Sequence, residues 1–222
     1  MKKRLVRWVI FLLIGVGIGY AWKYSTDQQI SGGVIALSPD DQNTAASVIK
    51  RPSRKNDNAV ESSVGGAFEM IDHTGKTVTQ DDYADTYKLV FFGFTYCPAI
   101  CPTELQKVTL ILETLEQETA DKITPIFITV DPERDTVEQI SQYVGQFHPR
   151  LVGLTGTQEQ VDATKSAFKV YATKVENEMM DEYMMDHSAF LYLMDHNNKM
   201  IAMYPSTDTA DDIAKDIQEK EL

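Results

Sequence analysis

Apolar and polar positions divide this chain into three stretches. From Trp8 to Trp22, 15 residues run without a charge, behind the basic residues Lys2, Lys3, Arg4 and Arg7. Residues 25–64 mix Ser, Gln, Asn, Asp and Gly with a basic patch (Lys50 to Lys55) and few large apolar side chains, which predicts a flexible tether. Within it, Gly33–Leu37 and Ser47–Ile49 are the two segments that would add edge strands. From residue 65 onward short apolar runs and helical repeats alternate with turn signals, the pattern of an α/β domain.

Inside residues 65–222 the elements read in order. Ala67–Ile71 alternates, the turn Asp72–Lys76 places a glycine where positive φ is cheap, and Thr77–Thr79 returns as a hairpin strand. Lys88–Phe94 is almost wholly apolar, as a central strand buried on both faces is. Pro102–Glu118 follows as a helix, with Leu105, Val108, Leu112 and Leu115 on one face and proline in its first turn. Ile123–Val130 is the next buried strand, and Val137–Phe147 the next helix, with Asp135 and Glu138 spaced as a capping box. A short strand (Leu151–Leu154), a helix from Gln158 to about Tyr171, a long loop, a hairpin (Ser188–Met194 and Lys199–Met203) and an amphipathic helix (Thr209–Glu219) complete the order. This predicts an α/β fold, a mixed central sheet with helices on both faces and an extra N-terminal β-hairpin.

Charge narrows the partners. Residues 1–24 hold five basic residues and no acids; the other 16 of the 21 basic residues face all 33 acids, a balance of −17. That repels phosphate backbones, so no nucleic acid is expected, and a cationic partner fits better. The N-terminal apolar run is at the short edge of what crosses ~30 Å of hydrocarbon, so a membrane anchor and a cleaved signal segment compete at residues 1–24. Trp8 at one end and Tyr20, Trp22 and Tyr24 at the other form an aromatic belt, which favours the anchor. The basic flank then stays inside and the domain outside. With no Arg-rich, Ser-rich transit peptide, the expected setting is the periplasmic side of a bacterial inner membrane; the alternative is the intermembrane-space side of the mitochondrial inner membrane.

The chain has two cysteines, Cys97 and Cys101. Both fall where the central strand passes into the following helix, the place where open α/β sheets put their ligands. Helix-terminal N–H groups favour thiolate there, so both sulfurs are expected to be acidic. Four positions apart, they can chelate one ion or close a disulfide; a bridge across so short a loop stabilises little. His187 stands just before an apolar strand, and the residues alone leave it either a ligand or a histidine satisfied within the fold. His73, His148 and His196 lie in apparent turns and read as surface residues. Asp131, at a strand end, either orients a ligand, faces a cationic partner, or caps the loop ahead of the next helix.

Four motifs carry a resemblance. Gly93 to Leu105 (GFTYCPAICPTEL), Asp131 to Thr136 (DPERDT), Gly153 to Gly156 (GLTG) and Asp186 to Ser188 (DHS) resemble the Sco/SenC family, in the family's order, across residues 65–220. The resemblance implies a thioredoxin-like fold and copper held by Cys97, Cys101 and His187. It also implies a metallochaperone role in assembling the copper centre (CuA) of cytochrome c oxidase. Its partners would be the oxidase subunit carrying that centre, other copper carriers or thiol reductants, and the membrane through the N-terminal helix. Ala99 departs from the pattern, since many members carry Asp there.

The chemistry agrees: thiolates suit Cu(I), and an added imidazole gives a set that tolerates Cu(II), one ion per chain; zinc can use the same three ligands. Met179, Met180, Met184 and Met185, with four acids around them, either pass copper inward or give an adaptable packing surface. The competing functions are a thiol-disulfide oxidoreductase that keeps acceptor cysteines reduced and a copper-dependent redox sensor. Thioredoxin-like reductases generally have two residues between their cysteines and a proline before the facing strand. Here three residues intervene and Asp186–Ser188 takes that place, which favours metal over peptide.

Overall fold

The computed structural model describes residues 64–176 and 183–222. The expected anchor, the tether through residue 63, its two candidate strands, and Met179 and Met180 lie outside the described residues. Among the described residues no helix is long and apolar enough to cross a membrane.

Among the described residues seven strands form one mixed sheet: β1 (Glu69–Asp72), β2 (Thr77–Thr79), β3 (Tyr87–Gly93), β4 (Ile123–Thr129), β5 (Val152–Thr155), β8 (Phe190–Met194) and β9 (Met200–Pro205), in the order β2-β1-β5-β4-β3-β8-β9. Strands β3, β4 and β5 are parallel, with Phe91 beside Phe127 and Ile128 beside Leu154. Strand β8 runs antiparallel to β3, and the N-terminal hairpin β1–β2 joins antiparallel to β5. From Lys88 to Gly93 every residue of β3 is buried, so both faces of the sheet centre are covered, as the unbroken apolar run predicts. The helices are α1 (Ile100–Thr114), α2 (Gln117–Asp121), α3 (Val137–Val144), α4 (Gln158–Phe168) and α5 (Ala210–Glu219). Helix α1 packs on β3 and α5, α3 on β5, and α4 on β1.

Two glycines mark close approaches. A Cβ at Gly153 would meet Ile140 Cγ2 at 2.2 Å, so only glycine lets α3 lie this near β5. A Cβ at Gly93 would meet Cys101 Sγ at 2.9 Å, so the end of β3 is cut back to seat a sulfur.

The elements differ from the sequence reading in three places. Helix α1 begins at Ile100, so Cys101 lies inside its first turn, and it ends at Thr114 with a separate turn of helix, α2, after it. Asp135 does not cap α3; Thr136 does, its side chain accepting from the Gln139 N–H, because a carboxylate buried inside the protein cannot also reach the helix end. The expected long loop contains a separate two-stranded ribbon, β6 (Ala172–Val175) and β7 (Met184–His187), paired antiparallel with Ala172 opposite His187.

Candidate metal centre

The cysteine loop is held by one buried carboxylate. Asp135 Oδ1 and Oδ2 accept from the Thr95 N–H at 3.2 and 3.0 Å, Oδ1 from the Thr95 hydroxyl at 2.6 Å, and Oδ2 from the Thr129 hydroxyl at 2.6 Å. The segment leaving β3 is thus tied to the end of β4 before it reaches Cys97. Ala99 stands at the N-cap of α1 and has no side chain to cap it. The cap is instead a sulfur: the Cys101 N–H donates to Cys97 Sγ at 3.4 Å, using a donor the helix itself leaves unpaired.

Both cysteines are free thiols and both are buried, Cys97 at 8% exposure and Cys101 at 0%. Strand β7 carries His187 across them, so that Nε2 lies 3.5 Å from Cys101 Sγ. Its Nδ1 lies 3.0 Å from the Ser188 carbonyl, which can only accept, so Nδ1 donates there and the ring is held with Nε2 facing the sulfurs. The ring stands edge-on to Phe91 and Phe94. The three residues named from the sequence are therefore neighbours, though His187 is 86 positions from Cys101.

The sulfurs differ in acidity, contrary to the expectation that both would be acidic. The hydrogen bond from the Cys101 thiol, and then those from His187 and the Cys101 and Ala99 backbone, pull Cys97 down to about 4 against the opposing effect of burial. The same thiol-to-thiolate bond, then burial, then the negative charge on Cys97 push Cys101 far upward. One proton is shared by two adjacent sulfurs, and a second negative charge in this dry place is strongly disfavoured.

A cavity of about 290 Å³ opens over the site, bordered by Phe94, Cys97, Pro98, Met184, Met185 and His187. Tyr96 and Ile100 stand exposed at 45% and 38%. The donor set fits a soft ion. With the zinc–sulfur and zinc–nitrogen bonds of about 2.3 and 2.0–2.1 Å as a yardstick, tetrahedral geometry puts the two donors about 3.6 Å apart, close to the 3.5 Å between Cys101 Sγ and His187 Nε2. Among the described residues no three such groups yet converge as a finished shell; the thiol proton still bridges the sulfurs, and an ion would displace it.

Other expectations resolve around this centre. Asp131 is buried and closes its own loop: its carbonyl accepts from the Arg134 and Asp135 N–H groups, Oδ2 takes Arg134 Nε at 2.5 Å and Oδ1 takes the Tyr183 hydroxyl at 2.7 Å. Sequence reasoning missed Arg134 and Tyr183; the spacing of Asp131 and Arg134 within one short loop was the available signal. His196 is exposed as expected, with Nδ1 2.8 Å from the Ala84 carbonyl. His73 and His148 are half-buried, because the ring nitrogen of each accepts a backbone N–H, from Gly153 and from Arg150.

Comparison with known proteins gives the chain a family. A model of the SCO1/SenC family matches residues 56–220. Protein sco1 of Schizosaccharomyces pombe is 40% identical over 156 residues, covering 69% of this chain and 59% of that protein. Protein SCO1 homolog 1, mitochondrial, of Arabidopsis thaliana is 34% identical over 209 residues, 94% of this chain and 59% of that one. The chain thus spans less than two thirds of these curated relatives. The crystal structure of Arabidopsis thaliana ScoI with copper bound superposes with a TM-score of 0.68 at 36% identity, over 71% of this chain and 98% of that one.

Proposed function

The chain belongs to the SCO1/SenC family and has its thioredoxin-like fold, and from that premise we propose that Cys97, Cys101 and His187 carry one copper ion as cargo for the copper centre of cytochrome c oxidase. The observation that carries the reading is His187 Nε2 held 3.5 Å from Cys101 Sγ with Nδ1 fixed on a carbonyl. Metal-binding histidines are oriented by such a bond on the second nitrogen. Two sulfurs and one imidazole favour copper over harder ions, and a relative of the same fold has been solved with copper bound.

In this reading residues 1–24 anchor the chain and residues 25–64 tether the domain outside the compartment where the chain is made. The mitochondrial name of the Arabidopsis relative supports a mitochondrial setting as the alternative to the bacterial periplasm. The acceptor is the oxidase subunit that carries the copper centre, and the acidic domain suits a partner with a basic face. Titration of the reduced full-length chain with Cu(I) tests the reading. Wild type should take up one ion per chain, and His187→Ala should lose at least tenfold in affinity while melting as wild type does. Equal affinity in the two would refute it, and preference for zinc over copper would refute the choice of metal.

One observation favours a second activity on the same residues. Cys97 is poised as thiolate beside a protonated Cys101, the division of labour of a dithiol reductant. Cys97 would attack an acceptor disulfide to form a mixed disulfide. Cys101 would then lose its proton and attack Cys97, releasing the acceptor as a dithiol and leaving a Cys97–Cys101 disulfide for an external thiol to reduce. Reduction of an oxidised acceptor-site peptide by the copper-free chain, abolished in Cys97→Ser, tests this; an unreduced peptide would refute it.

A further inference from the structure

The imidazole sits on a ribbon, β6–β7, that pairs only with itself among the described strands. A two-stranded ribbon is marginal in water, so where His187 stands depends on what the ribbon docks against. At its base the Ser188 N–H donates to the Tyr171 carbonyl at 3.0 Å, and the Tyr171 N–H to Ser188 Oγ at 3.3 Å. These bonds close the ribbon on itself and leave its angle to the cysteine loop open.

Further along, the ribbon is gripped by the loop after β4. The Tyr183 hydroxyl donates to Asp131, Arg134 Nη1 donates to the Tyr183 carbonyl at 2.9 Å, and Lys174 of β6 pairs with Glu133 at 2.5 Å. The Arg134 guanidinium carbon lies 3.8 Å from the Tyr183 ring centroid and 4.8 Å from that of Tyr96. Tyr96 immediately precedes Cys97, and Tyr183 lies four positions before His187. One side chain therefore touches the segment that carries a sulfur and the segment that carries the imidazole. Asp131, with no side-chain exposure, holds that guanidinium by Nε. A planar cation stacked on aromatic faces and fixed by a buried carboxylate is a stiff spacer.

We propose that Arg134 is a positioning residue: clasped by Asp131 and stacked between Tyr96 and Tyr183, it sets the gap between the cysteine loop and the β6–β7 ribbon and so how closely His187 approaches the ion. The inference rests on the copper reading above. Removing outer contacts of a metal ligand typically lowers affinity about 10–100-fold, and the lower end is expected here because the clasp acts through a whole ribbon.

The experiment is a double-mutant cycle on the full-length chain, with Cu(I) affinity measured against a chromophoric chelator. Arg134→Gln should bind about tenfold more weakly than wild type. Tyr183→Phe, which keeps the stacked ring and loses the bond to Asp131, should show a smaller loss in the same direction. On a His187→Ala background neither change should weaken binding further. Amide exchange should quicken in residues 172–175 and 184–187 and stay unchanged in β3, β4 and β5. Wild-type affinity in Arg134→Gln, a loss that persists on the His187→Ala background, or exchange that quickens throughout the sheet would overturn the proposal. Should Arg134→Gln fail to fold, the Tyr183→Phe cycle decides by the same criteria. If His187→Ala binds as wild type does, the copper reading itself falls; if it binds weakly while Arg134→Gln binds normally, only the clasp falls.

Discussion

Gly93→Ala should damage stability and copper binding together, for one geometric reason. The new Cβ would lie 2.9 Å from Cys101 Sγ, 2.9 Å from Phe127 Cε2 and 3.0 Å from Phe91 Cε1. All three residues are at 0% exposure, so none can move into solvent. Carbon contacts are most favourable near 3.5–4.0 Å, so each neighbour must retreat by about 0.5–1 Å. Overpacking of this kind costs about 1–3 kcal/mol. Alanine restricts the unfolded chain and returns about 0.4–1 kcal/mol, so the mid-range values leave a net loss of about 1.3 kcal/mol. At about 2–4 °C per kcal/mol for a chain of this size, the melting temperature should fall by roughly 3–5 °C. The displaced sulfur would miss a metal-site tolerance of about 0.2 Å, so Cu(I) affinity should fall by at least tenfold. Thermal melts of the reduced chain and chelator competition read the two effects. A melting temperature at or above wild type, with unchanged affinity, would show that β3 is not cut back to seat Cys101.

Three further outcomes follow from the same geometry. Alkylation of Cys97 by iodoacetamide in the reduced, copper-free chain should proceed at a nearly constant rate from pH 8 to pH 5 and fall off only as the pH passes below about 4, because the thiolate persists down to that point; a tenfold drop per pH unit from pH 8 downward would mark an ordinary thiol. Met184 and Met185 border the cavity over Cys97 and His187. Changing both to Leu should leave copper affinity within about twofold, since the packing is conserved, and slow the rate of loading; unchanged loading would reduce them to packing residues. Lys88 is 1% exposed at the far end of β3, its ammonium on the Asp195 carbonyl, and burial lowers its pKa. Lys88→Met should alter stability by less than about 1.5 kcal/mol in chemical denaturation, with copper binding untouched; a loss above 3 kcal/mol would mean the ammonium is needed where it lies.

What the sequence made legible has a physical pattern. Lys88–Phe94 and Ile123–Val130 could be read as central strands because burial on both faces leaves no polar position to blur the run. Strands β6 and β7 could not: Thr173, Lys174 and Val175 are all exposed, and the ribbon has no full core face to impose alternation. Cys97 and Cys101 are plain from type and place, whereas His187 emerged through its resemblance to a known family. Contacts spanning 49 to 52 positions, such as Arg134 and Asp131 with Tyr183, leave no local signal at all. The expectation of two acidic thiols failed because the helix-terminus argument treats each sulfur alone, while a hydrogen-bonded pair titrates as a unit. The Asp135 capping box failed because Thr136 was equally eligible and the carboxylate serves the cysteine loop instead.

On the proposed copper reading, the way Cys97, Cys101 and His187 are held also fixes which of them should yield first. Cys101 lies inside a helix turn beneath β3 with no exposure, and Cys97 takes a helix N–H on a loop braced by Asp135. His187 rides on the ribbon outside the main sheet. A carrier must release its cargo, and an incoming donor displaces most readily the ligand whose segment can move without opening the core. Copper held by the sulfurs and the imidazole should therefore leave by exchange on the His187 side, beside Met184 and Met185. His187→Ala, loaded with one Cu(I), should then pass its ion to a competing dithiol faster than wild type does, by about the same factor as its loss of affinity, since affinity changes within one site reside mostly in the off-rate. Stopped-flow transfer to a chromophoric chelator measures this directly. Equal transfer rates despite weaker binding would mean that a sulfur leaves first, and the ribbon would then serve loading instead of release.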